Sequence, residues 1–207
     1  MPDQNKQEEI LKAASTCFAQ YGFAKTTMDD IGKMVGLNKA SLYYYYKNKE
    51  AIFCEIITRE REKFLCSLTE KIDAIDTWHE KIQVYILERQ RYSQKTINLH
   101  KLSTKTSEQL QFQPIFRKLL KRFTISETKI IRRILDQALE KKQICPVDTH
   151  KAASAILLVA NGIKQQQMLL QNHTMTLAQF DFDQLEDETR FTISLILKGL
   201  TVTKPLP

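Results

Sequence analysis

The chain has 207 residues, 43% of them hydrophobic and 27% charged, with a net charge of +7. That composition fits one folded domain or two small ones and excludes a disordered chain. Five glycines and five prolines are too few for a turn-rich all-β fold, so a chain helical nearly throughout is expected.

The longest apolar run, 152–163, is shorter than the roughly 20 residues a bilayer core requires. The opening MPDQNKQEEI has no apolar leader segment. Cys17, Cys54, Cys66 and Cys145 show no CxxC spacing. A cytoplasmic chain with reduced thiols, no membrane partner and no cofactor is the expectation.

In chain order, Ile10, Leu11, Ala14, Phe18 and Tyr21 recur at three- and four-residue spacing and predict a first helix from Asn5 to Tyr21, stopped by Gly22. Thr27, with Asp30 three residues on, resembles a capping box and opens a second helix. Its inward face is Ile31, Met34 and Val35, and Gly36 ends it. Asn38 caps a third, to Tyr45. Asn48 caps a long fourth with the stripe Ile52, Ile56, Phe64, Leu68 and Ile72, to about Asp73. Thr77 and Glu80 form another box, opening a helix to about Lys95. The polar stretch Ser103–Gln113 is the least regular. Pro114 begins a helix to about Lys142, Pro146 precedes one over Asp148–Leu170, and Asp183 caps a last one to about Leu200.

Charge is uneven. Residues 1–53 carry seven Lys/Arg against six Asp/Glu, while residues 81–142 carry fifteen against five. A basic middle invites a reading in which it faces DNA, a partner or an anionic ligand, with solvated helix faces as the plainer alternative.

Two short helices joined by a glycine-containing turn form a candidate helix-turn-helix over 27–46. In such a unit the second helix enters the major groove, wide enough for one helix. Ala40 and Ser41 are small enough for close approach. Four of seven tyrosines occupy Tyr43–Tyr46. Consecutive helical positions point about 100° apart, so the four cannot all be core; Tyr46 is read inward, Tyr44 and Tyr45 outward.

The segment from Ile10, Leu11, Ala13, Ala14, Phe18, Gly22 and Phe23 to Thr26, Thr27, Met28, Asp30 and Ile31 resembles the opening of the TetR/AcrR family. Gly36-Leu37-Asn38-Lys39-Ala40-Ser41-Leu42-Tyr43-Tyr44-Tyr45-Tyr46-Lys47-Asn48-Lys49-Glu50 continues the likeness. The resemblance implies an all-α regulator of about nine helices. A DNA-binding head would occupy 4–64, and a helical effector-binding and dimerisation domain 65–207. It further implies a homodimer on a palindromic double-stranded DNA operator, released by a small-molecule effector. By position it places Thr26, Thr27 and Lys49 on phosphates and Lys39, Ala40, Ser41 and Tyr44 on bases, with Tyr43 and Tyr45 on phosphates or buttressing the helix. Gly32 stands where alanine is common, at a cost of about 1 kcal/mol in helix propensity. Asp29 puts a negative charge beside the expected interface.

Beyond the head there is no phosphate loop, paired-carboxylate site or metal spacing, and no enzyme is expected; a Cys145/His150 pair is separated by Pro146. Trp78, Tyr85, Tyr92, Phe116, Phe123 and Met168 are candidate effector-cavity residues, with Gln165 a polar contact. The run 152–163 with Gly162, and Phe191, Leu195, Leu197 and Leu200, are candidate dimer faces. A helical ligand-binding or adaptor protein whose head does not read DNA is the second expectation.

Overall fold

The computed structural model describes residues 3–100, 110, 113–170 and 182–202, without the side chains of 97–99 and 168–170. Almost all of the irregular stretch Ser103–Gln113 lies outside the described residues. Eight helices are described: α1 Gln4–Tyr21, α2 Met28–Val35, α3 Lys39–Tyr45, α4 Lys49–Asp73, α5 Trp78–Leu99, α6 Pro114–Glu140, α7 Thr149–Leu170 and α8 Phe182–Leu200. Among the described residues the nearest thing to a strand is one antiparallel bridge between Ile144 and Thr201.

Local chemistry sets most helix starts. Asp3 accepts the Asn5 amide at 3.0 Å, Asn38 that of Ser41 at 2.8 Å, Asn48 that of Ala51 at 2.9 Å and Asp148 that of Lys151 at 3.0 Å. Each satisfies an amide that the first helical turn leaves without a partner. At Thr27 both halves of the capping box form. Asp183, in contrast, lies inside the first turn of α8, because the helix already runs from Phe182; it is not the cap. The end of α6 also departs from expectation. Lys142 adopts φ 56°, and the Gln143 amide reaches back to the Ala138 carbonyl at 2.9 Å. This closure usually employs glycine, so no sequence signal marked it.

The chain forms two compact units. Among described residues the first comprises 3–65 with 93–100, 110 and 113–119; the second comprises 66–92, 120–170 and 182–202. The first unit thus takes in the end of α5 and the start of α6 in addition to the expected 4–64. Its centre is aromatic. Phe18, Phe23 and Phe53 lie 4.9–5.5 Å apart by ring centroid, and Phe116 stacks on Phe53 at 5.7 Å. Ile10, Ile31, Leu42 and Ile52 are fully buried around them. Each such side chain contributes about 1.5–3 kcal/mol by leaving water. Tyr21 and Met34, expected on inward faces, are instead 54% and 43% exposed. Both sit at the margin of their helical stripes. Met34 still brings its sulfur to 3.7 Å from the Cys17 thiol.

In the second unit Ile82, Tyr85, Ile86, Ile131, Leu135, Ile156 and Ile193 form the core. Charged groups brace its surface. Arg91 makes paired bonds to Glu186 at 2.6 and 2.9 Å, and Arg190 adds a third at 2.8 Å. These cations hold the Glu186 carboxyl below its ordinary range.

Candidate nucleic-acid interface

The site is built from α2, the turn after it and α3. Gly36 ends α2 in the left-handed region, at φ 71°, where a Cβ is disfavoured. The Leu37 amide then bonds the Gly32 carbonyl at 2.9 Å. A Cβ at Gly32 would stand 2.9 Å from the Leu37 carbonyl oxygen. Gly32 therefore permits the tight turn between the helices. Its propensity cost is offset by this close approach, which sequence reasoning did not anticipate.

On α3, Leu42 is buried and anchors the helix to the head. Tyr46 is also buried, as expected, and desolvation raises its phenol pKa. Lys39, Ala40, Tyr43 and Tyr44 are exposed, and Ser41 and Tyr45 half-buried. Tyr44 is the most open of these, at 68%, and meets Tyr45 edge to face at 5.3 Å. A short helix thus presents small, cationic and phenolic groups outward, with its buried side held by Leu42 and Tyr46. Asp29 finds Lys39 at 3.5 Å, across two exposed side chains, so α2's acid and α3's base are paired.

The two threonines differ. Thr27 is exposed, and its hydroxyl and amide engage the Asp30 carboxylate at 2.7 and 2.8 Å. These bonds hold the Asp30 carboxyl below its ordinary value. Thr26 is 1% exposed. Its hydroxyl lies 2.9 Å from the Gly22 carbonyl and 3.2 Å from that of Cys17, satisfying the end of α1. A side chain so placed cannot touch phosphate, so the expectation for Thr26 is corrected. Lys49 also turns inward. Its ammonium donates to the carbonyls of Phe23 at 2.8 Å, Thr26 at 2.8 Å and Ala24 at 3.2 Å, and stands 4.7 Å above the Phe23 ring. Burial lowers its pKa.

Residues 10–56 match the profile of bacterial regulatory proteins, tetR family. The chain is 32% identical over 98 residues to the HTH-type transcriptional regulator YhgD of Bacillus subtilis, 46% of this chain and 51% of that one. It is 49% identical over 47 residues to the biofilm operon icaADBC HTH-type negative transcriptional regulator IcaR of Staphylococcus epidermidis, covering 23% of this chain and 25% of IcaR. A crystal structure of a transcriptional regulator from Cytophaga hutchinsonii superimposes with a TM-score of 0.80 at 25% identity, over 96% of this chain and 100% of the other. Residues 10–56 belong to the tetR family of DNA-binding heads. The matched part of the curated relatives is at most about half of their length. The family profile covers α2, α3 and most of α1, the elements that build the outward face described above.

The candidate effector residues are divided between the two units. Phe116 belongs to the first unit, where it is buried against Phe53. Trp78 and Tyr85 are buried in the second unit, Tyr92 and Phe123 half-buried, and Gln165 exposed. The side chain of Met168 lies outside the described residues. What was missed is polar. Arg89 pairs with Glu127 at 3.2 Å and donates to Asn161 at 2.8 Å, and Gln90 donates to Thr189 at 2.8 Å. Arg89, Gln90, Glu127 and Thr189 are all buried. The Gln90 amide oxygen and the Arg89 Nε have no hydrogen-bond partner among the described residues. The signal was in the spacing. Arg89 and Gln90 continue the inward stripe Ile82, Tyr85, Ile86 of α5, and a polar residue on an apolar stripe marks a buried polar site.

No group of three or more potential metal ligands is found among the described residues. No described helix is long and apolar enough to cross a membrane.

Proposed function

We propose that the chain is a sequence-specific DNA-binding transcription regulator. Residues 4–64 read DNA, and 65–207 bind an effector and dimerise. In this reading a cytoplasmic homodimer lays α3 of each copy in successive major grooves of a palindromic operator, about 34–36 Å apart, and a small molecule bound in the second unit releases it. The observation that carries the reading is the outward face of α3, with Lys39, Ala40, Tyr43 and Tyr44 exposed on a helix fixed from behind by Leu42 and Tyr46. Lys39, Ala40, Ser41 and Tyr44 meet bases. Tyr43, Tyr45 and Thr27, the last at the start of α2, meet phosphate. IcaR, similar over the head, is by name a negative regulator, which supports repression as the mode here.

Two features support the remaining parts. On α7, Ala155, Leu158, Gly162 and Gln165 line one exposed stripe, and on α8 Phe191 and Leu195 are exposed, Leu158 by 73% and Phe191 by 65%. Large apolar groups left open on adjacent helices suit a symmetric interface. Leu197, expected there, is buried within the unit. The unpartnered Gln90 oxygen and Arg89 Nε are atoms a polar effector would satisfy, since buried polar groups are rarely left unpaired.

The test is a duplex selection. The wild-type chain, offered a randomised pool, is expected to enrich an inverted repeat with half-sites one helical turn apart, and Leu158→Glu to sediment as a monomer and lose that enrichment. Absence of any enriched repeat refutes the reading. The adaptor alternative rests on the near-neutral head, seven cations against six acids over 1–53, and on Asp29, to which Lys39 supplies a counter-charge.

A further inference from the structure

We propose that Lys49 is a positioning residue of the reading head: its ammonium fastens the connection between α1 and α2 and thereby sets where α2 and α3 begin. This inference rests on the DNA-binding reading and departs from the phosphate contact that sequence resemblance assigned to Lys49. The argument is one of valence. A lysine ammonium has three N–H donors and no acceptor. The carbonyls of Phe23, Ala24 and Thr26 lie at 2.8, 3.2 and 2.8 Å from it. Those three donors therefore have three acceptors, all in the short stretch between Gly22 and Thr27. The Phe23 ring, 4.7 Å away, covers a further side. A phosphate reaching Lys49 would have to compete with these carbonyls for the three donors.

The placement of the three carbonyls gives the fastening its consequence. They sit just before Thr27, whose hydroxyl caps α2. α2 in turn holds α3 through the Gly32–Leu37 turn. The stretch is held from its other side as well, because the Phe23 amide donates to the His100 carbonyl at 3.3 Å. α4, which carries Lys49, thereby holds the stretch that leads into the start of α2.

Two substitutions separate positioning from phosphate contact. Lys49→Met keeps the aliphatic stem and removes the charge. Lys49→Arg keeps the charge, but a planar guanidinium cannot aim donors at three carbonyls converging on one point. The duplex selected by the wild-type chain is titrated with all three proteins from about 50 to about 300 mM KCl. Backbone amide hydrogen exchange over residues 22–31 is measured without DNA. Expected is a loss of about tenfold in affinity for both variants, the same salt slope as wild type, and faster exchange over 22–31 in both. The proposal is overturned if Lys49→Met lowers the slope by about 0.9, the share of one phosphate, and Lys49→Arg restores slope and affinity. It is equally overturned if exchange over 22–31 is unchanged in both variants. A wild-type chain that selects no duplex refutes the DNA-binding reading, and the exchange measurement then still decides the role of Lys49.

Discussion

The reading head and the second unit are both helical, yet different chemistry specifies them. In the head, α2 and α3 have eight and seven residues, too short to be stable alone. Their ends are therefore set by particular groups: the Thr27–Asp30 box, the left-handed Gly36 and the Asn38 cap. In the second unit, α7 and α8 have 22 and 19 residues and are placed mainly by apolar stripes. Charge differs in the same way. The first 53 residues are close to neutral, and the excess of cations lies in 81–142. The face assigned to DNA is thus defined by the shape of a turn, while bulk charge points elsewhere. A small disturbance in the head should cost recognition before it costs the fold, and the reverse should hold in the second unit.

The largest expected effect probes the head's core. Phe53→Ala empties a fully buried site touching Phe18, Phe23 and Phe116, and should cost about 3–5 kcal/mol in denaturant unfolding. A loss below about 1 kcal/mol would mean that the aromatic cluster is not what holds the head. Gly32→Ala comes next. It gains about 1 kcal/mol of helix propensity, but its Cβ meets a backbone oxygen at 2.9 Å, and crowding of that kind costs about 1–3 kcal/mol. DNA affinity should fall while the melting temperature changes little. An alanine variant with wild-type affinity would show that the turn has room.

A gain is expected in the second unit. Lys142→Gly relieves a left-handed φ of 56° and should stabilise by about 1 kcal/mol, without effect on DNA. Calorimetry showing a lower melting temperature would contradict it. The smallest effect is on the acid limb. The Asp30 carboxyl is held below its ordinary value of 3.8 by Thr27. A depressed folded-state pKa gives stability that is present above the ordinary value and lost as pH falls through the lowered one. Asp30→Asn should therefore be less stable than wild type near neutrality, and the gap should close below about pH 4. Glu186→Gln in the second unit should behave alike, because Arg91 lowers that carboxyl. A gap that persists undiminished to about pH 3 would contradict both assignments.

The head's elements were legible because their signals are local. A threonine followed by an acid three residues on, an asparagine before a short helix and a glycine after one each mark a boundary in the chain itself. The site was less legible, for a physical reason. Thr26 and Thr27 are neighbours of the same type, but one hydroxyl ends α1 and the other begins α2. Thr26 turns back to the carbonyls of Gly22 and Cys17 and Thr27 forward to Asp30, a choice that residue type alone does not reveal. Lys49 looked like a surface cation because its three acceptors lie more than twenty residues earlier. Phe116 looked like a member of an effector cavity because periodicity shows that a residue is buried but not in which unit. Arg89 and Gln90 were visible as polar positions on an apolar stripe and went unread.

Selection from a randomised duplex pool with wild-type and Tyr44→Ala proteins tests the central claim most directly. Wild type should enrich an inverted repeat, and Tyr44→Ala should alter the preferred bases at matching positions of both half-sites. Enrichment of an identical repeat with identical affinity by both proteins would contradict the claim that the outward face of α3 reads sequence.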